Sequence, residues 1–154
     1  MRALVLVAVI TSLGWSSPPA DVTRLVGKWS GEGTFQGKAA TGSMEWESVL
    51  ASRFVRLRIE IALGGQRIFE GHAYYSGTPP KGTWFDSQGA SYRIESEFAG
   101  DSLVSTWGPD LTRPLGRSVY RLDGPDRMTV TDYLNRSGSW TEFARIDYRR
   151  AGSS

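Results

Sequence analysis

Over residues 54–61, Phe54-Val55-Arg56-Leu57-Arg58-Ile59-Glu60-Ile61, apolar and charged side chains alternate without interruption. In an extended strand this period places Val55, Leu57, Ile59 and Ile61 on one face and Arg56, Arg58 and Glu60 on the other, one buried and one wet. Similar candidate strands recur about every ten residues, at 29–36, 42–50, 66–75, 82–86, 90–98, 102–107, 117–122, 127–134 and 139–149. Turn-forming runs separate them: Gly64-Gly65, Gly77-Thr78-Pro79-Pro80, Ser87-Gln88-Gly89, Ala99-Gly100-Asp101, Asp123-Gly124-Pro125 and Asn135-Arg136-Ser137-Gly138. Links this short favour sequential antiparallel hairpins. About ten strands in meander order leave exposed edges unless the sheet closes. The expectation is an all-β fold, an antiparallel up-and-down barrel of about ten strands, with a short N-terminal helix over residues 21–26 plugging one end. A two-sheet sandwich is the alternative. The long irregular link at residues 108–114 has the length to cap one barrel mouth.

The chain opens with one positive charge and an unbroken apolar run, Met1-Arg2-Ala3-Leu4-Val5-Leu6-Val7-Ala8-Val9-Ile10, followed by Gly14-Trp15-Ser16. A run of about ten residues is too short to span a bilayer, and the small-x-small triplet suits cleavage, so residues 1–16 read as a signal peptide. Export to the periplasm or beyond is expected. No Cys follows the run to take a lipid, and no later segment is apolar for long enough to insert as a helix. What remains, roughly 135 residues with a single domain over 21–150, is large enough for a packed core without disulfides. The formal charge is only +2, with signs interspersed, which is no footprint for nucleic acid. Arg53, Arg56 and Arg58 read as a solvated strand face.

Gly27, Trp29, Gly31 and Gly33 share one face of the first strand, a large ring followed by two positions without a side chain. Bare positions permit sharp curvature and also clear volume in a lumen. Trp29 reads as structural: a ring under a guanidinium gains on the order of 1 kcal/mol when shielded from water. Arg150 shares parity with Ile146 and Tyr148 and is preferred over Arg149 as its partner. The segments Leu25-Val26-Gly27-Lys28-Trp29-Ser30-Gly31-Glu32-Gly33, Glu70-Gly71-His72-Ala73-Tyr74-Tyr75, Gly82-Thr83-Trp84-Phe85-Asp86-Ser87 and Ile146-Asp147-Tyr148-Arg149 resemble a bacterial family of exported, lipocalin-like domains. More distantly, the opening is similar to nitrobindin-type haem barrels. The resemblance implies a calycin-like barrel. In nitrobindin-like proteins an iron-ligating His sits near the end of the chain, whereas residues 139–150 contain none, so no cofactor is expected.

His72 is the only histidine, and with no Cys and no acidic cluster at ligand spacing, a metal site is not expected. Glu70, His72 and Tyr74 form a polar stripe on one face of their strand, and Phe69, Ala73 and Tyr75 occupy the other; parity does not decide which faces inward. Trp84 and Asp86 share a face of the next strand, and Asp86 also suits the opening of the Ser87-Gln88-Gly89 turn. Tyr92, Trp107 and Tyr133 complete a set of aromatics able to line a pocket or pack a core. No Gly-x-Ser-x-Gly elbow, Walker loop or dinucleotide fingerprint occurs. The expected role is binding of a small hydrophobic or amphipathic molecule in the barrel, with Glu70, His72, Tyr74, Trp84, Asp86, Tyr92, Trp107 and Tyr133 as candidate ligand-binding residues. One alternative is an enzyme using His72 with Glu70 or Asp86 at the mouth. The other is an envelope interaction module, which an interior packed solid with side chains would favour.

Overall fold

A computed structural model describes residues 22–152. The expected signal peptide and Asp21 lie outside that range. Ten strands follow in chain order: β1 (Gly27–Phe35), β2 (Lys38–Val49), β3 (Phe54–Leu63), β4 (Gln66–Ser76), β5 (Lys81–Asp86), β6 (Ser91–Ala99), β7 (Ser102–Gly108), β8 (Gly116–Leu122), β9 (Arg127–Arg136) and β10 (Ser139–Arg150). Each pairs antiparallel with its sequence neighbours, and β1 pairs with β10, closing the ring. The sandwich alternative is thereby excluded. Closure satisfies the backbone groups that an open meander would leave at its edges.

The alternation at 54–61 sets the inside of the barrel: Val55, Leu57, Ile59 and Ile61 are buried. Carried across the registered pairs, the same parity points Ala73 and Tyr75 of β4 and Ile94 of β6 inward. Tyr120 of β8, Val130 of β9 and Ile146 and Tyr148 of β10 complete this inner layer.

The expected N-terminal helix is a single 3-10 turn, Val22–Leu25, tied by Val26 N–H to Thr23 O at 3.1 Å. On its C-terminal side the turn runs almost directly into β1, which begins at Gly27. It nonetheless plugs one barrel end, since Val22 and Leu25 are wholly buried and Trp29 Nε1–H donates to Leu25 O at 2.9 Å. Arg150 clasps this plug. Its guanidinium lies 4.1 Å from the Trp29 ring centroid and donates to the carbonyls of Arg24, Val26 and Pro125. The choice of Arg150 over Arg149 follows the inward parity of β10.

On β1, a Cβ at Gly31 would collide with the Asp147 carbonyl and one at Gly33 with that of Arg145. These glycines therefore serve curvature: β1 folds tightly against β10 at a corner of the barrel. The link between β7 and β8 lies against the opposite rim, where Asn135 Nδ2–H donates to Pro114 O at 3.0 Å and Asn135 N–H to Leu115 O at 2.9 Å. It contributes one side chain, Leu115, to the mouth and does not cover it.

Candidate functional site

The two halves of the barrel interior differ. Toward the plugged end the space is filled, with Leu25, Trp29, Trp46, Leu57 and Met128 among the fully buried side chains. Toward the other end lies a cavity of about 250 Å³, bounded at its rim by Phe35, Gln36, Gln88, Leu115, Leu134 and Phe143. The interior is thus not packed solid. Its walls are largely apolar and rich in aromatic side chains. Phe69 stacks on Trp84 (centroids 6.1 Å, 15° between planes) and Tyr92 on Trp107 (5.7 Å, 24°), and Tyr75 and Tyr120 both pack against Trp46.

Two close approaches hold the indoles flat against the wall. Gly71 lies under the six-membered ring of Trp84 and Gly116 under that of Trp107, and a Cβ at either would occupy ring positions. Each indole also has a fixed polar end: Trp84 Nε1–H donates to Asp86 Oδ2 at 3.0 Å, and Trp107 Nε1–H to Ser118 Oγ at 3.1 Å. Asp86 opens the turn as its sequence suggested, since its Oδ1 accepts from the amides of Gln88 and Ala90.

Four of the eight sequence candidates, Trp84, Asp86, Tyr92 and Trp107, line this cavity. Glu70, His72 and Tyr74 do not: β4 turns Gly71, Ala73 and Tyr75 inward and sets the polar stripe on the outer wall. There Glu70 meets Arg58 and Arg67 at 3.2 Å, and His72 Nε2 at 3.0 Å. The hydrogen bond from His72, with the two guanidiniums, holds the Glu70 carboxyl below the ordinary value. His72 is a member of a surface ion-pair network, and the lumen presents no imidazole. Tyr133 likewise lies outside, where the Arg117 guanidinium sits between its ring (4.9 Å) and that of Trp140 (4.7 Å).

The residue that the sequence reading passed over is Asp132. It belongs to the inward row of β9 with Met128, Val130 and Leu134, and its parity with those three apolar residues was the signal that marked it. Asp132 is partly buried and lines the cavity. Desolvation pushes it up to about 6, and the neighbouring Ser118 hydroxyl offsets this only in part. The other titratable groups that face it are phenols: Tyr75, Tyr120 and Tyr148, each raised by burial, Tyr75 to about 12. Ser96 and Ser105 share a hydrogen bond of 2.8 Å farther along the same wall, and Tyr75 stands beside Ser105.

A second depression, of about 260 Å³, lies on the outer wall beside Lys28, Ser43, Glu45, Arg58 and Glu60. It is shallow and its charges already pair with one another, Lys28 with Glu45 at 3.6 Å among them. The lumen, whose Asp132 carboxyl has no cationic partner among the described residues, is the stronger site. Among the described residues no group of three or more His, Cys, Asp or Glu is arranged to hold a metal ion. No family model matches this sequence, and no curated protein is significantly similar to it.

Proposed function

We propose that this barrel is a carrier or sensor for a small amphipathic molecule held in its lumen, and that it works in an exported location. The carrying observation is the cavity itself: an enclosed space walled by stacked aromatics, open at one end and plugged at the other. Such a space takes an apolar body out of water at roughly 25 cal/mol per Å² and orients it through the few polar groups on its wall. At about 250 Å³ it suits a compact molecule of one or two rings rather than a long acyl chain. The apolar run at residues 1–10 supports export.

The test is native mass spectrometry of the protein purified from its own compartment, with a visible spectrum of the same sample. An adduct present on the natural chain and missing from Leu134→Trp, which fills the mouth, supports the reading. An adduct retained by Leu134→Trp places the molecule elsewhere and overturns it.

A further inference from the structure

Taking the lumen as a binding site, the geometry points to its ligand class: a small organic cation, a protonated amine on an aromatic or branched apolar body, with its ammonium against Asp132. Three observations converge on this.

First, the charge of the cavity is of one sign. Among the described residues its lining includes two carboxylates, Asp86 and Asp132, and no Lys, Arg or His. Second, the two carboxylates are not equivalent. Asp86 accepts from Trp84 Nε1 and from the Gln88 and Ala90 amides, so its oxygens are occupied by the fold. Asp132 has Ser118 as its hydroxyl neighbour, and that hydroxyl also accepts from Trp107. A carboxylate taken out of water with so little compensation is costly to keep ionised, and an ammonium supplies the missing donors and charge together. Third, the surroundings fit a cation. The neutral hydroxyls of Tyr75 and Tyr120 stand near Asp132, and the stacked pairs Phe69–Trp84 and Tyr92–Trp107 offer ring faces to an onium group or its apolar body. An anionic ligand such as a fatty acid would meet two carboxylates and, among the described lining residues, no cation to receive it.

The desolvated carboxyl also makes capture sensitive to acid. Among the described residues no Lys, Arg or His faces Asp132 from β8 or β10 or across the lumen; Tyr75, Tyr120 and Tyr148 are neutral throughout the relevant range. With its pKa near 6, only about a tenth of Asp132 is ionised at pH 5, which weakens capture of an amine about tenfold relative to pH 7.5.

The experiment is calorimetric titration of the full-length protein with three probes of matched shape: 2-phenylethylammonium chloride, 2-phenylethanol and sodium 3-phenylpropanoate. At pH 7.5 the ammonium is expected to bind at one site at least tenfold more tightly than the alcohol, with the carboxylate weakest. Asp132→Asn is expected to bring the ammonium down to the level of the alcohol and leave the alcohol unchanged. The pH comparison uses the unaltered protein, so it stands even if the variant folds poorly. Equal affinity for ammonium and alcohol, or an ammonium affinity indifferent to pH, overturns the cation assignment while the lumen remains a binding site. Failure of all three probes to bind at millimolar concentration overturns both readings.

Discussion

At the scale of single residues, Asp132 sets a stability dependence opposite in sign to that of the surface carboxylates. In the unfolded chain its carboxyl ionises near 3.8; folded, it does so at about 6. Between those values the native state holds a proton that the unfolded state has released. Its contribution is therefore fully present below about pH 4 and is lost as pH rises through 6. Glu70 and Asp123, whose pKa values are lowered by His72 and Arg121 respectively, act the other way and weaken as pH falls. Comparing Asp132→Asn with the natural chain by urea denaturation at pH 4 to 7 isolates the Asp132 share. The two should be nearly equal at pH 4, and the variant should be more stable by about 1–3 kcal/mol at pH 7. Equal stability at both pH values would mean that the carboxylate is hydrated in the lumen. A residue that lowers stability at neutral pH, on an otherwise apolar row, belongs to function rather than to folding.

At the scale of elements, strand positions were legible because their turns carry glycine at left-handed positions: Gly64, Gly65, Gly89, Gly100, Gly124 and Gly138 all have positive φ. The link between β2 and β3 lacks that signature, and the expected second strand accordingly overran it to residue 50. Leu50, Ala51 and Ser52 all adopt left-handed conformations, φ 52°, 56° and 61°, with no glycine among them. An L-residue in that region costs about 1–2 kcal/mol. Ala51 is exposed, so Ala51→Gly relieves strain without opening a cavity, against some added freedom of the unfolded chain. A net stabilisation of about 0.5–1 kcal/mol in chemical denaturation is expected, and a loss would show that the turn conformation is not strained. The faces of β4 and β9 were legible in principle for the same reason as the strands. Gly71, Ala73 and Tyr75 continue the inward parity of β3 across the registered pairs, but only the pairing Leu57 with Ala73 fixes which face that is. One sequence supplies no register, so His72 and Tyr133, the more reactive-looking members of each strand, drew the candidate list outward.

At the scale of the molecule, what holds the ring is a seam between the first and last strands, with Trp29 opposite Arg150 in the register. Covalent continuity and closure are separable in such a barrel, because both ends of the described residues reach the seam at the plugged end while loops connect everything else. A circular permutant joining residue 152 to residue 22 through a short Gly/Ser linker, and opened between the exposed Gly64 and Gly65, keeps the strand order and the seam. It should retain the β-sheet circular dichroism of the parent and lie within about 1–2 kcal/mol of its stability, since it exchanges one loop closure for another. Arg150→Ala makes the opposite change, leaving connectivity intact and removing the guanidinium from Trp29 and from the Arg24, Val26 and Pro125 carbonyls. That change should cost about 2–4 kcal/mol, whereas Arg149→Ala, on the outer face, should stay within about 0.5 kcal/mol. If the permutant lost most of its stability while Arg150→Ala lost little, the hairpin between β3 and β4 rather than the seam would be holding the barrel closed. The new termini lie at the open end, but neither Gly64 nor Gly65 lines the cavity, so the permutant should bind 2-phenylethylammonium as the parent does.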